Sequence, residues 1–224
     1  MLPEQFCVRM KEMLGEEYAA FYASYDLPKY QALRINPLKT ERDTFLLQAP
    51  FSLNRVPWTT NGYYYSGNDQ PGRHPYHEAG VYYIQEPSAM APAEYLMAEP
   101  GERILDLCAA PGGKSTQIAC SMQGEGLIVC NEIHPARAKI LSENIERMGV
   151  CNALETPQKL SDNFREYFDR ILVDAPCSGE GMFRKNEDAC DEWSPENVEN
   201  CAARQAEILD CAAEMLKPGG RLVY

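Results

Sequence analysis

From about residue 87 onward, short apolar runs alternate with amphipathic segments punctuated by Gly and Pro, and that alternation predicts a doubly wound, mainly parallel α/β sheet. A helix is expected over Ser88–Met97, then a strand over Arg103–Leu107, a glycine-bearing turn and a helix over Lys114–Met122. A strand over Gly126–Asn131 precedes a helix over Pro135–Met148, with Pro135 suited to the first helical turn and Gly149 to the C-terminal end. The strand Arg170–Val173 ends at Asp174. The helix Pro195–Lys217 opens on Ser194-Pro195-Glu196 and stops at Pro218-Gly219-Gly220. Arg221–Tyr224 begins a further strand in which the sequence ends, so the sheet is expected to be incomplete at its C-terminal edge.

Residues 1–78 read differently, as a small aromatic- and proline-rich α+β module ahead of the α/β domain at 79–224. Phe6, Met10, Met13, Leu14, Tyr18, Phe21 and Tyr22 recur at helical spacing and are expected to pack a core. Ala32–Thr40 looks strand-like, and Thr59–His77, rich in Gly, Tyr, Asn and Pro, looks like a loop. Within it Tyr63, Tyr64 and Tyr65 suit either a buried hairpin or stacking on unpaired bases.

Composition narrows the class of protein. Nine cysteines without a Cys-x-x-Cys pair argue against a disulfide framework and for reduced, packed thiols. His74 and His77 are too few for a metal centre, which normally takes four protein ligands when structural, so no metal is expected. There is no basic, apolar leader and no run of about 18 apolar residues, so a cytoplasmic protein that does not engage membranes is expected; a monomer is expected as well. A net charge of −12 is wrong for a chain that grips nucleic acid alone, because phosphate contacts need clustered Lys and Arg.

Two loops concentrate the chemistry. Asp106-Leu107-Cys108-Ala109-Ala110-Pro111-Gly112-Gly113-Lys114 lies between a strand and a helix, where open α/β sheets bind ligands. Gly112 and Gly113 allow close backbone approach, and the small Ala109 and Ala110 leave space beside it. The turn lacks the G-x-G-x-x-G of dinucleotide folds. Lys114-Ser115 imitates the end of a phosphate loop, but Ala109 stands where its first Gly is needed, so ATP is a poor fit. About twenty residues on, Glu132 stands where an acid accepts hydrogen bonds from ribose hydroxyls. Asp174-Ala175-Pro176-Cys177-Ser178-Gly179 then sets an acid and a thiol on one turn, equipping it for nucleophilic or proton-transfer chemistry.

Together these motifs resemble the Sun/Fmu family of RNA cytosine-carbon-5 methyltransferases, in its bacterial RsmF-like branch. The resemblance runs through Arg34-Ile35-Asn36-Pro37-Leu38-Lys39, Tyr83–Ser88, Cys108–Lys114, Asp174–Gly179 and Gly181-Met182-Phe183-Arg184-Lys185. It implies a Rossmann-like methyltransferase sheet that binds S-adenosylmethionine along Cys108, Ala109, Ala110, Pro111, Gly112, Gly113 and Lys114, with Glu132 on the ribose and Asp174 bordering cofactor and cytosine. It further implies RNA, ribosomal RNA foremost, as the partner, with residues 1–78 an RNA-binding module; Arg34, Asn36, Lys39, Arg184 and Lys185 are the candidates for RNA contacts, since basic residues on loops near a site position RNA without reading sequence. Cys177 resembles the thiol that helps release the methylated product. The attacking thiol belongs to a Thr-Cys motif after the strand in which this sequence ends, so the chain alone is expected to be inactive. Asn152–Pro157 is a few residues shorter than the family's equivalent, which bears on the adenine side of the site. The alternatives are a tRNA enzyme, a DNA cytosine methyltransferase attacking through Cys177, or a fold-only module.

Overall fold

A computed structural model describes residues 2–156, 160, 164–186 and 188–224. In chain order the first elements are α1 (Glu4–Leu14), α2 (Tyr18–Ala23), β1 (Ala32–Ile35), α3 (Arg42–Gln48), β2 (Asn54–Arg55), β3 (Gly62–Tyr64), α4 (Pro75–Glu78) and β4 (Tyr82–Ile84). They are followed by α5 (Pro87–Leu96), β5 (Arg103–Asp106), α6 (Gly113–Met122), β6 (Leu127–Asn131), α7 (Pro135–Met148), β7 (Ala153–Thr156), β8 (Phe168–Leu172), α8 (Asp188–Asp191), α9 (Pro195–Met215) and β9 (Leu216–Val223). Two compact units emerge, one of Tyr30–Asp174 with Cys211–Tyr224, the other of Met1–Lys29 with Ala175–Asp210.

The larger unit holds both sheets. Its five-stranded sheet is parallel, in the order β7-β6-β5-β8-β9, with Leu105 level with Val129 on one side and Ile171 on the other. Ile104, Ile128, Cys130 and Leu172 are buried against Ile118 and Met122 of α6 and Leu141 and Ile145 of α7. Each such side chain contributes roughly 1.5–3 kcal/mol when fully buried. Because the strand order reverses at β5, the ends of β5, β6 and β8 flank the crevice where such sheets take ligands. The Asn152–Pro157 segment pairs in register as far as Asn131 with Thr156, while Pro157 lies outside the described residues.

The second sheet, β2-β3-β1-β4, is antiparallel. It corrects the expectation of a loop over Thr59–His77, since that segment contains β3 and most of α4. A strand of three residues is too short to show alternation, and what holds it is pairing to β1 and β2 together with burial of Tyr63. At the far end of the chain α9 stops at Met215, and β9 starts at Leu216 instead of Arg221. The Pro218-Gly219-Gly220 run bulges between the pairs Phe168–Leu216 and Arg170–Arg221.

In the smaller unit Phe6 forms a core with Met10 and Phe21 partly buried beside it, as their spacing predicts, whereas Met13 and Tyr22 from the same stretch are exposed. Phe6 meets Phe183 edge-on at 5.0 Å and Trp193 at 5.7 Å, with Phe21 and Tyr25 packed beside them. The helical stretch is broken at Gly15, which takes φ 52° and closes α1 by donating to Lys11 O, before a short 3₁₀ turn leads into α2.

Candidate functional site

After Asp106 the chain leaves the sheet, turns through 107–112 and enters α6 at Gly113. Gly112, at φ 104°, provides the left-handed corner and caps the helix without any side-chain acceptor. A Cβ on Gly113 would come within 3.2 Å of the Tyr83 ring, so the turn lies directly on that aromatic. Ala109 and Ala110 are buried, and α7 pins their neighbours: Arg137 donates to Ala110 O at 2.9 Å and Asn144 to Pro111 O at 2.8 Å. The result is a rigid cradle opening on the positive end of a ten-residue helix.

Three acids surround it. Asp106 is buried with Oδ2 accepting from Ser115 Oγ at 2.7 Å, while no donor reaches Oδ1 among the described residues. Burial pushes its carboxyl up to about 6, against the hydrogen bond from Ser115 and the charge of Lys114. Glu132, 5 % exposed, accepts from the His134 N–H at 2.9 Å and pairs with Arg137 at 3.2 Å. Asp174, at the end of β8, is exposed and receives Lys114 Nζ at 2.6 Å. The two motifs singled out in the sequence therefore meet in space. Burial, reinforced by Asp106, Glu132 and Asp174, raises the Cys108 thiol to about 12, so this sulfur stays protonated and serves packing. Small, backbone-lined space with a buried acid, Glu132, after the second strand fits a ligand that carries a vicinal diol.

Cys177, by contrast, is exposed, on a turn at the start of the smaller unit's second segment, where Gln205 donates to Pro176 O at 2.8 Å. All nine cysteines are free thiols. Among the described residues no group of three or more His, Cys, Asp or Glu is placed to hold a metal ion, and no helix is long and apolar enough to cross a membrane. The His74 ring accepts from the Tyr76 N–H at 3.1 Å and lies against Phe51 and Tyr76.

The expected RNA contacts divide. Lys39 and Lys185 are exposed and Arg184 is half-buried, donating to Leu27 O within the smaller unit. Arg34 and Asn36 need correction, because both are inside. Arg34 is 2 % exposed and donates to Gln85, Gly113 O, Thr116 and Cys120, leaving no face for a phosphate. Asn36, fully buried, donates to Gly80 O and Met148 O at 2.8 Å each and accepts from the Leu38 N–H and the Cys120 thiol. Sequence reasoning passed over Gln85, Thr116, Arg137 and Asn144, which brace the cradle. Helical spacing does set Arg137 and Asn144 seven apart on one face of α7, a signal that points toward the turn once the sheet order is known.

The reversal point, the glycine turn into a helix and the acid after the second strand define the core of a nucleotide-type cofactor-binding α/β protein. Residues 93–224 match the model of the 16S rRNA methyltransferase RsmB/F family, and residues 2–87 match that of the N-terminal domain of 16S rRNA methyltransferase RsmF; the chain belongs to the RsmB/F family. It is 39% identical to the ribosomal RNA small subunit methyltransferase F of Escherichia coli O81 and 41% identical to that of Citrobacter koseri, in each case over 99% of this chain. The chain spans about half of those relatives, 49% of their length. A methyltransferase homolog protein from Pyrococcus horikoshii superposes with a TM-score of 0.84 at 29% identity, covering 98% of this chain and 72% of that one.

Proposed function

We propose that this chain is the cofactor-binding core of an S-adenosylmethionine-dependent methyltransferase acting on carbon 5 of cytosine in ribosomal RNA. The observation that carries the reading is the meeting of Lys114 and Asp174, which joins a cofactor turn to a catalytic turn across neighbouring strand ends. When bound, S-adenosylmethionine supplies an electrophilic methyl group on a sulfonium. The backbone of Cys108–Lys114 cradles its methionine and adenosine parts, Glu132 accepts from the ribose hydroxyls, and Lys114 faces the carboxylate.

Carbon 5 of cytosine is a poor nucleophile until a thiolate adds at carbon 6. Asp174 assists that addition by hydrogen bonding or proton transfer at ring nitrogen 3, with the Lys114 ammonium beside it. By its resemblance Cys177 acts later, in releasing the methylated product, the attacking thiolate coming from the family's Thr-Cys motif. Lys39, Arg184 and Lys185 contact the RNA backbone, positioning it without reading sequence.

Calorimetric titration with S-adenosylmethionine, followed by transfer of labelled methyl groups to 16S rRNA and digestion to nucleosides, tests the reading. Saturable binding that Glu132→Ala and Asp174→Ala both weaken, with label in 5-methylcytidine once the rest of the relatives' length is supplied, would support it. No binding would remove the cofactor assignment, label in another nucleoside would remove the carbon-5 assignment, and transfer by the present chain alone would make Cys177 the attacking thiol.

A further inference from the structure

Arg34 lies on β1 of the antiparallel sheet, yet its guanidinium reaches into the first turn of α6. Nη2 donates to Gly113 O at 3.1 Å and to Thr116 Oγ1 at 2.8 Å. Thr116 Oγ1 in turn donates to Gly112 O at 2.8 Å, so one fork of donors holds both glycine carbonyls, one directly and one through the threonine. Nε donates to Gln85 Oε1 at 3.0 Å, and Gln85 also binds Ala89 O and Gln117 of the facing helices. The Tyr83 ring on which Gly113 rests has guanidinium carbons on it from Arg34 at 5.8 Å and Arg147 at 5.5 Å.

This cation is costly. It is fully buried, burial pulls its pKa below the ordinary arginine value, and among the described residues its acceptors are an amide, a carbonyl, a hydroxyl and a thiol, with no carboxylate. A chain needing only to join a sheet to a helix has cheaper apolar solutions, which often equal or exceed a buried charge in stability. What the guanidinium provides instead is a planar, pre-organised fork that fixes several acceptors in one geometry. Three of its four acceptors, Gly113 O, Thr116 and Gln85, are in or against the Gly112–Gly113 turn, and the fourth, Cys120, lies further along α6.

We propose that Arg34 is a positioning residue for the cofactor: it sets the conformation of the Gly112–Gly113 turn and the aim of the α6 N-terminus, so that β1 belongs to the cofactor site although it touches no part of the ligand. The proposal rests on the reading of that turn as the S-adenosylmethionine cradle. It gives the segment around Arg34 a role in cofactor affinity in place of a phosphate contact, and the antiparallel sheet a role in binding the cofactor.

The test compares the 224-residue chain with Arg34→Leu, Arg34→Lys and Leu96→Ala, the last removing a buried side chain of α5 that makes no hydrogen bond to the Gly112–Gly113 turn. S-adenosylmethionine affinity is measured by calorimetry, and amide hydrogen exchange is followed at Gly112 and Thr116, whose N–H groups bond within the turn. Arg34→Leu is expected to weaken binding by about tenfold or more, the scale seen when outer-shell partners of a site are removed, with faster exchange at both amides; Arg34→Lys is expected to recover part of each. Leu96→Ala is expected to lower Tm while leaving affinity and both amides near wild type. If Arg34→Leu binds as wild type does, or if Leu96→Ala weakens binding equally for the same loss of Tm, Arg34 is structural only and the proposal fails. A wild-type chain that binds no S-adenosylmethionine, with Arg34→Leu still exposing the two amides, would sink the cofactor reading and leave Arg34 as a brace of an unused turn.

Discussion

Lys114 Nζ sits 2.6 Å from Asp174 Oδ2, so residues sixty apart in sequence share one proton-bearing contact at the mouth of the crevice. Asp174 is 60% exposed, and an ion pair so open to water contributes roughly 0–1 kcal/mol to stability. On the proposed function its value is chemical. Asp174→Asn, measured in a chain extended to the length of the relatives, is expected on that reading to lower methyl transfer by about 100-fold or more while urea unfolding stays within about 1 kcal/mol of wild type. An active variant, or one that unfolds much earlier, would contradict this division.

Glu132 is buried and spends one oxygen on the His134 N–H and the other on Arg137. Glu132→Gln keeps the shape and the turn but removes the charge that strengthens hydrogen bonds from a ribose diol. Affinity for S-adenosylmethionine is expected to fall by about tenfold, with Tm lowered by only a few degrees; equal affinity of the two forms would remove Glu132 from the site.

Asp106 sets a pH signature. Its carboxyl titrates near 6 in the folded chain, chiefly through burial, against 3.8 for an ordinary aspartate. Between those values the folded state holds a proton that the unfolded state has released, so this group's contribution to stability falls as pH rises through the window and is flat above it. Asp106→Asn is expected to abolish that decline and to be more stable than wild type at pH 7 by about 2 kcal/mol. Chemical denaturation at pH 4, 5, 6 and 7 checks it, and parallel curves for the two proteins would refute it.

Asn36 ties the antiparallel sheet to the end of α7 through Gly80 O and Met148 O. Asn36→Leu leaves these buried acceptors and the Leu38 N–H unmet, for an expected loss of about 3 kcal/mol. In a chain extended to the length of the relatives, the RNA affinity of whatever remains folded is expected to match wild type, because the side chain is fully buried. A selective loss of RNA binding at unchanged Tm would restore the phosphate contact that the sequence suggested.

Much of the α/β half was legible because Ile104–Leu105, Leu127–Cys130 and Ile171–Val173 are apolar runs and its helices are bounded by Pro and Gly. α7 begins and ends where Pro135 and Gly149 place it, and the two chemistry-bearing turns fall at strand ends, as ligand-binding loops in such sheets do. What misled was chemistry read without burial. Arg34 and Asn36 are polar, precede Pro37 and sit in a motif, all of which suits a surface contact equally well; only tertiary packing shows that their donors point inward. The short β3 and the early start of β9 were hidden for another reason, since three residues or a strand interrupted by Pro-Gly-Gly cannot display a period.

The smaller unit joins residues 1–29 to 175–210. A nascent chain emerges from its N-terminus, so Phe6 must wait for Phe183 and Trp193, its edge-on neighbours, to be synthesised before it can be covered. The aromatic face of α1 therefore stays uncovered while residues 30–174 are made, an interval in which exposed apolar surface is what chaperones bind.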